Sequence, residues 1–275
     1  MDRIKIIIGF WGKLDHKEID FIFKLIPRKQ VLFVGAVVND LIGVSEIPPC
    51  QSGKCDKDAC RQKKENEARK SWYRYLGENC KRSHSKYTIH KEEGCSSADL
   101  MRETHYADLM IINQETYRGQ VGNEDGELVP FRNLLASSGC PVLVIPANTM
   151  DIEQVVMTFD GTSRAMHGIK QFSYLLSELG QNLPVTVLTT YCEEGPSAME
   201  EKLFIEYLKQ HFQNLALHKL SHDTEHTIYS AVGLNSNTLM VVNNPSPENL
   251  TVLGNLLNSE DSIVPFKLYT QTQQG

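Results

Sequence analysis

Apolar residues run almost unbroken from Arg3 to Phe10, recur at helical spacing at Leu14, Ile19, Ile22, Phe23 and Ile26, stop at Pro27, and run again through Gln30 to Val38. An unbroken apolar run predicts a strand buried on both faces, and the i, i+3, i+4 recurrence predicts an amphipathic helix. Residues 50–80 read as irregular and then helical, through Ala68, Trp72, Tyr75 and Leu76. A short strand is predicted at Tyr87–His90 and a helix at Ser96–Tyr106, with Ser96 or Ser97 as its N-cap. The pattern then gives a strand at Leu109–Asn113, a helix starting at Pro130–Ala136 and a closing strand at Pro141–Ile145.

The same order then begins again. A strand is predicted at Ile152–Phe159, followed by an amphipathic helix at Ser163–Leu179 that Gly180 closes. A strand at Val185–Thr190 precedes a helix at Ala198–Phe212, with Met199, Leu203, Tyr207 and Leu208 turned inward. Strands at Leu215–Leu220, Thr238–Val242 and Ile263–Tyr269 alternate with helices at Glu225–Val232 and Glu248–Leu257. Alternating strands and helices imply parallel strands joined by right-handed crossovers. The expected fold is therefore α/β, with two tandem doubly wound parallel-sheet domains. Residues 1–148 form the first, with a cysteine-rich insertion at about 48–95, and residues 149–275 form the second. The fifth strands, Val142–Ile145 and Val264–Tyr269, are the expected pairing edges of an internal pseudo-dimer, since unpaired edges invite association.

Composition narrows the classes. With 275 residues and 41% apolar content, the chain can bury two cores without disulfide staples. No apolar run reaches the length of a membrane span, and Met1-Asp2-Arg3 before Ile4–Ile8 reads as the start of a strand and not as a signal peptide. These features point to a cytoplasmic protein whose cysteines are thiols. A net charge of −6 argues against general binding to nucleic acid or anionic membrane.

Two stretches carry a family resemblance. Gly139-Cys140-Pro141-Val142-Leu143-Val144-Ile145-Pro146 follows a helix with a proline-led apolar strand, and Val155-Val156-Met157-Thr158-Phe159-Asp160-Gly161-Thr162-Ser163-Arg164-Ala165 runs from a strand through an Asp-Gly-Thr turn into a helix. The first resembles the end, and the second the opening, of a universal stress protein domain. The resemblance implies two Rossmann-like domains of the adenine-nucleotide alpha-hydrolase type. It also implies a stress-response module that binds a small ligand or a protein partner, with homodimerisation open.

The resemblance places Asp160 at a nucleotide pocket. Gly161 would allow the sharp turn and Thr162 or Ser163 would cap the next helix. The alternative is that Asp160 only closes the turn. Nucleotide-binding members carry a glycine-rich stretch after the fourth strand, whose N–H groups approach phosphate. Here Gly119 and Gly122 supply the first pair, but the later Gly-Ser or Gly-Thr is missing, and Glu124, Asp125 and Glu127 lie nearby. The second half has Asn243-Asn244-Pro245-Ser246-Pro247-Glu248 at that point, and the first half has Gly9-Phe10-Trp11-Gly12 in place of the aspartate turn. The expectation is a degenerate site in which ATP binding is less expected than its absence.

Five of the seven cysteines, Cys50, Cys55, Cys60, Cys80 and Cys95, fall between residues 50 and 95. Cys50, Cys55, Cys60 and Cys80 are candidate ligands of a soft metal, zinc first, although the spacing is not that of paired C-x-x-C knuckles. Redox-active thiols beside Lys54 and Lys57, or a loop with inert thiols, are the alternatives. Between Gln51 and Glu93 twelve Lys or Arg face seven Asp or Glu, which suits a solvated helix face or an acidic partner. Trp72, Tyr73 and Tyr75 read as core and rim. No G-x-S-x-G, H-E-x-x-H or P-loop motif occurs, and His167 has no assignable triad partner, so an enzyme is not expected.

Overall fold

The computed structural model describes residues 3–12, 15–27, 30–42, 57–122, 127–146, 151–189, 197–219, 235–243 and 266–270. The chain divides into two units, Met1–Cys140 and Pro141–Gly275.

In the first unit, β1 (Ile4–Phe10) and β2 (Val31–Val37) pair in parallel from Ile4↔Val31 to Phe10↔Val37. The edge strand β3 (Lys86–Ile89) flanks β2, and β4 (Leu109–Asn113) flanks β1 on the other side, giving the order β4-β1-β2-β3. In each of β1 and β2 all residues but one are buried, as the unbroken apolar runs require, whereas β3 is exposed or half-buried throughout.

Helix α1 (His16–Leu25) starts at Asp15, whose carboxylate accepts from the Lys17 N–H, and buries Ile19, Phe21 and Ile22. Helix α2 (Lys57–Arg82) is 26 residues long and begins inside the run expected to be irregular. Its Trp72 and Leu76 are fully buried, Trp72 packs on Phe10 with ring centroids 5.4 Å apart, and Tyr75 donates to Asp20 at 2.7 Å. This confirms the core-and-rim reading of that aromatic cluster. Helix α3 (Ser97–Thr104) takes Ser96 as its N-cap, as the sequence predicts.

After β4 come a short helix α4 (Gln114–Arg118), an unforeseen hairpin of β5 (Gln120–Gly122) and β6 (Leu128–Pro130), and a 3₁₀ turn at Phe131–Ser137 where an ordinary helix was expected. Pro130 has no N–H to donate to the ladder, so it ends the strand and begins the turn.

In the second unit, β7 (Val142–Ile145), β8 (Gln154–Phe159), β9 (Val185–Thr189), β10 (Leu215–Lys219), β11 (Thr238–Asn243) and β12 (Phe266–Thr270) stand in the order β10-β9-β8-β11-β12-β7. All pairs are parallel except β12 with β7, where Leu268 lies opposite Leu143. The two expected edge strands thus pair with each other, antiparallel.

Helix α5 (Ser163–Leu175) is shorter than predicted, because the backbone breaks at Leu176 before α6 (Ser177–Asn182). Gly180 therefore does not close the first helix. It lies within α6, where a Cβ would meet the Phe212 ring at 2.8 Å. The break lets a residue without a side chain sit against that ring.

Helix α7 (Ala198–His211) carries a reciprocal Ser197–Glu200 capping box. Its inward face is Phe204 and Leu208, while Met199 and Leu203 are exposed, contrary to the predicted face. Phe204 stacks on Phe159 at 3.8 Å, and that pair fixes the rotation of the helix. The predicted helices at Glu225–Val232 and Glu248–Leu257 lie outside the described residues. Among the described residues no helix is long and apolar enough to cross a membrane.

Candidate functional site

Open parallel sheets bind ligands at the carboxyl ends of their strands, where the strand order reverses. In the first unit that point lies between β1 and β4. The chain leaves β1 through Trp11 and Gly12, the latter at φ +79, a left-handed turn that glycine adopts without strain. The Trp11 N–H donates to Thr116 Oγ1 at 2.8 Å, and Asn113 Nδ2 donates back to the Trp11 carbonyl at 3.3 Å. Asn113 Oδ1 accepts from both the N–H and the hydroxyl of Thr116, at 2.9 and 2.5 Å. The crevice is thus laced by side chains of its own walls.

The helix starts at this edge are occupied in the same way. Asp15 caps α1 and Asn113 caps α4. Both Asp40 oxygens accept from the Ser97 N–H, at 2.8 and 2.9 Å, beside the Ser96 cap of α3. An incoming anion would have to displace these oxygens to reach the N–H groups they hold.

One buried acid borders the network. Glu18 is 2% exposed, and its Oε2 has no hydrogen-bond partner. Burial pushes its carboxyl up to about 8, with the Asp15 and Glu115 carboxylates adding to the rise, while hydrogen bonds from the Asp15 backbone and Asn113 oppose it. Glu18 therefore keeps its proton near neutral pH. Its position was readable: it lies four residues before Ile22 and eight before Ile26, inside the apolar stripe of α1. The Asn113–Thr116 cap was also readable, as an Asn ending a buried strand with a Thr three residues on, although its bonds to Trp11 were not.

The two candidate glycines behave differently from a phosphate cradle. Gly119 is the C-cap of α4, its N–H bonded to the Glu115 carbonyl at 2.9 Å, and its carbonyl accepts from the Phe131 N–H at 2.8 Å. The Gln120 N–H is held by the Ile42 carbonyl at 2.9 Å. Gly122 sits in the β5–β6 hairpin opposite Leu128, with open space around its Cα. The pair is thus a helix stop followed by a hairpin strand.

In the second unit the Asp-Gly-Thr turn forms as the sequence suggests. Gly161 is at φ +85, and Thr162 caps α5 by accepting from the Ala165 N–H at 3.1 Å. Asp160 Oδ1 accepts from the Thr162 N–H at 3.0 Å and from its hydroxyl at 2.6 Å. Asp160, Gly161, Thr162, Ser163 and Arg164 are all exposed. Asn243 ends β11, and residues 244–250 lie outside the described residues.

The cysteine set does not close as one site. Cys60 and Cys80 lie on the single helix α2, and at 1.5 Å of rise per residue they stand about 30 Å apart. Cys80 is fully buried, and its thiol is pushed up to about 12 by burial. A tetrahedral metal cannot take both, so Cys80 leaves the predicted ligand set. Cys50 and Cys55 lie outside the described residues, as does the Cys60 side chain. Among the described residues no group of three His, Cys, Asp or Glu side chains could hold a metal.

Comparison with solved structures identifies the architecture. A universal stress protein from Archaeoglobus fulgidus superposes with a TM-score of 0.60 at 10% identity, over 96% of this chain and 98% of that one. The chain has the universal stress protein fold. A Pseudomonas aeruginosa protein assigned to the same group (13% identity, 98% of this chain and 94% of that one) gives 0.48. A functionally unknown protein of that organism (11% identity, 98% and 93%) gives 0.47. Only the Archaeoglobus match carries the fold assignment. No protein-family model and no curated protein sequence matches the chain. The universal stress protein fold is therefore legible here in backbone architecture well beyond the reach of overall sequence similarity.

Proposed function

We propose that this chain is a tandem stress-response module that works in the cytoplasm by binding a small ligand or a protein partner, and not by catalysis. The observation that carries the reading is the superposition on a universal stress protein along 96% of the chain. The spent donors of the first unit support a degenerate nucleotide site, since Gly119 and Gln120 direct their N–H groups into the protein's own carbonyls. The exposed Asp160-Gly161-Thr162 turn is the part of the site that stays presentable to a ligand.

A second reading rests on α2, whose first turn carries Cys60. A helix start favours thiolate, so Cys60 with Cys50 and Cys55 forms the remaining set for a zinc or redox sensor. The third reading, an ATP-binding or hydrolysing protein, needs the donors that the first unit has used.

A native mass spectrum of freshly purified, reduced, tag-free protein separates the three and also reads homodimerisation. A bare chain mass supports the first reading. It is strengthened if a strain lacking the gene loses stress survival and regains it with the wild-type chain but not with Asp160→Ala. A zinc or iron mass lost on Cys50→Ser, Cys55→Ser and Cys60→Ser establishes the second, and a bound nucleotide mass overturns the first.

A further inference from the structure

A second concavity lies on the face of the first sheet that α3 covers, lined by residues from Lys91, just past β3, to Lys5 and Tyr106. It encloses about 400 Å³, the lower end of the range for small-molecule sites. Its floor is the β2 backbone at Gly35 and the small side chain of Ala36, with the Cys95 thiol beside them. Burial pushes that thiol up to about 12, so it presents a neutral, weakly polar surface. Gly9 lets α3 close down on β1, since a Cβ there would meet Leu100 at 2.9 Å, and the buried Gly35 and Ala36 of β2 form the bottom of the groove beside it.

The charges around this floor are arranged in two tiers. Deeper in, Glu103 Oε1 lies 3.2 Å from Lys5 Nζ and 2.8 Å from His90 Nδ1. At the mouth, Asp99 pairs with Lys91 and, at 2.6 Å, with Arg102. The Lys91 hydrogen bond, then the Ser96 hydroxyl, holds the Asp99 carboxyl down at about 2. Each carboxylate is thus already shared by two basic side chains, and the basic groups of the lining outnumber the acids. Lys91 and Arg102 are 53% and 77% exposed, so their pairs with Asp99 are weak surface pairs that an incoming anion can share. A cation would enter a lining in which Lys5, Lys91 and Arg102 outnumber Asp99 and Glu103. Tyr106, 80% exposed, puts an aromatic ring on the rim, where a free side chain contributes little unless something flat packs against it.

We propose that this groove is a binding site for a small organic monoanion with a flat or short apolar body, an aromatic carboxylate being the simplest case. The apolar body lies on Gly35 and Ala36 and under Tyr106, and the carboxylate reaches Arg102 and Lys91 at the mouth. Arg102 is suited to this role because its planar fork matches a carboxylate in two hydrogen bonds.

The test uses the full chain, with benzoate as the anionic probe, benzylamine as its cationic isostere and inorganic phosphate as an anion without an apolar body. Amide shifts in ¹H–¹⁵N spectra locate binding, and calorimetry gives the Kd. Saturable benzoate shifts at Gly35, Ala36, Cys95 and Arg102 are expected, with benzylamine and phosphate at least about tenfold weaker. Ala36→Leu, which fills the floor, should abolish binding. Arg102→Gln, a surface change that leaves the core alone, should weaken benzoate by about three- to tenfold. If Ala36→Leu does not fold, Arg102→Gln decides alone. The proposal is overturned if benzoate gives no saturable shifts at these amides, if benzylamine or phosphate binds as well, or if Arg102→Gln leaves the Kd unchanged.

Discussion

The turns that open the two units use one backbone device in two different settings. Gly12 at φ +79 and Gly161 at φ +85 both let the chain leave the first strand by a left-handed step, and both are followed by a polar cap on the next helix. Around Gly12, however, the crevice is filled by the Trp11–Thr116–Asn113 network and bordered by buried Glu18. Around Gly161 the side chains are exposed, and among the described residues Asp160 and Thr162 bond within the turn and to the helix start it opens. A shared turn therefore does not imply a shared role. In the first unit it has become part of the packing, and in the second it remains a surface feature.

The sharpest way to break this contrast is Asn113→Ala. That change removes the α4 cap, the partner of Thr116, the donor to Trp11 and a hydrogen bond to Glu18 at one stroke. A loss of about 3 kcal/mol in urea unfolding is expected, combining a lost cap with buried groups left unpaired. If Asn113→Ala costs no more than a surface substitution, the network is not structural and the contrast fails.

Glu18 sharpens the comparison through pH. Its folded carboxyl titrates at about 8, above its ordinary range, so between roughly pH 4.5 and 8 the native state holds a proton that the unfolded chain has released. Stability must therefore fall as pH rises through this window. Glu18→Gln keeps the shape without the charge, so it should leave stability near pH 4 little changed. At pH 8 it should raise stability by about 2 kcal/mol, discounted for relaxation around the site. Unfolding of both proteins at pH 4, 6 and 8 checks this, and parallel curves would show that the Glu18 carboxyl titrates alike in the folded and unfolded chain.

How much of this was readable follows from the range of the forces involved. The strands and most helices were legible because each unbroken apolar run or stripe reports burial directly, and the second turn was legible because Asp160, Gly161 and Thr162 bond to one another within two or three residues. The first crevice was not read, because Asn113 and Thr116 meet Trp11 about a hundred positions away in sequence. Met199 and Leu203 were misplaced for a similar reason. Helical periodicity alone offered two faces for α7, and stacking of Phe204 on Phe159 selected the other. Of the predicted cysteine set, Cys80 is parted from Cys60 by distance, because a continuous helix converts spacing along the sequence into separation.

The smallest effect separates the two turns themselves. A Cβ on Gly12 would run into the Glu115 carboxylate, whereas Gly161 lies in an exposed turn. Both substitutions strain a left-handed backbone, which costs about 1 kcal/mol for alanine. Gly12→Ala must in addition displace the Glu115 side chain, and about 2 kcal/mol in all is expected. Gly161→Ala should stay near 1 kcal/mol, similar to Thr162→Ala, which removes only the α5 cap. Matched urea titrations of the three variants read the difference. Equal losses for Gly12→Ala and Gly161→Ala would mean that the first turn is as unconstrained as the second, and the division between a packed opening and an exposed one would not hold.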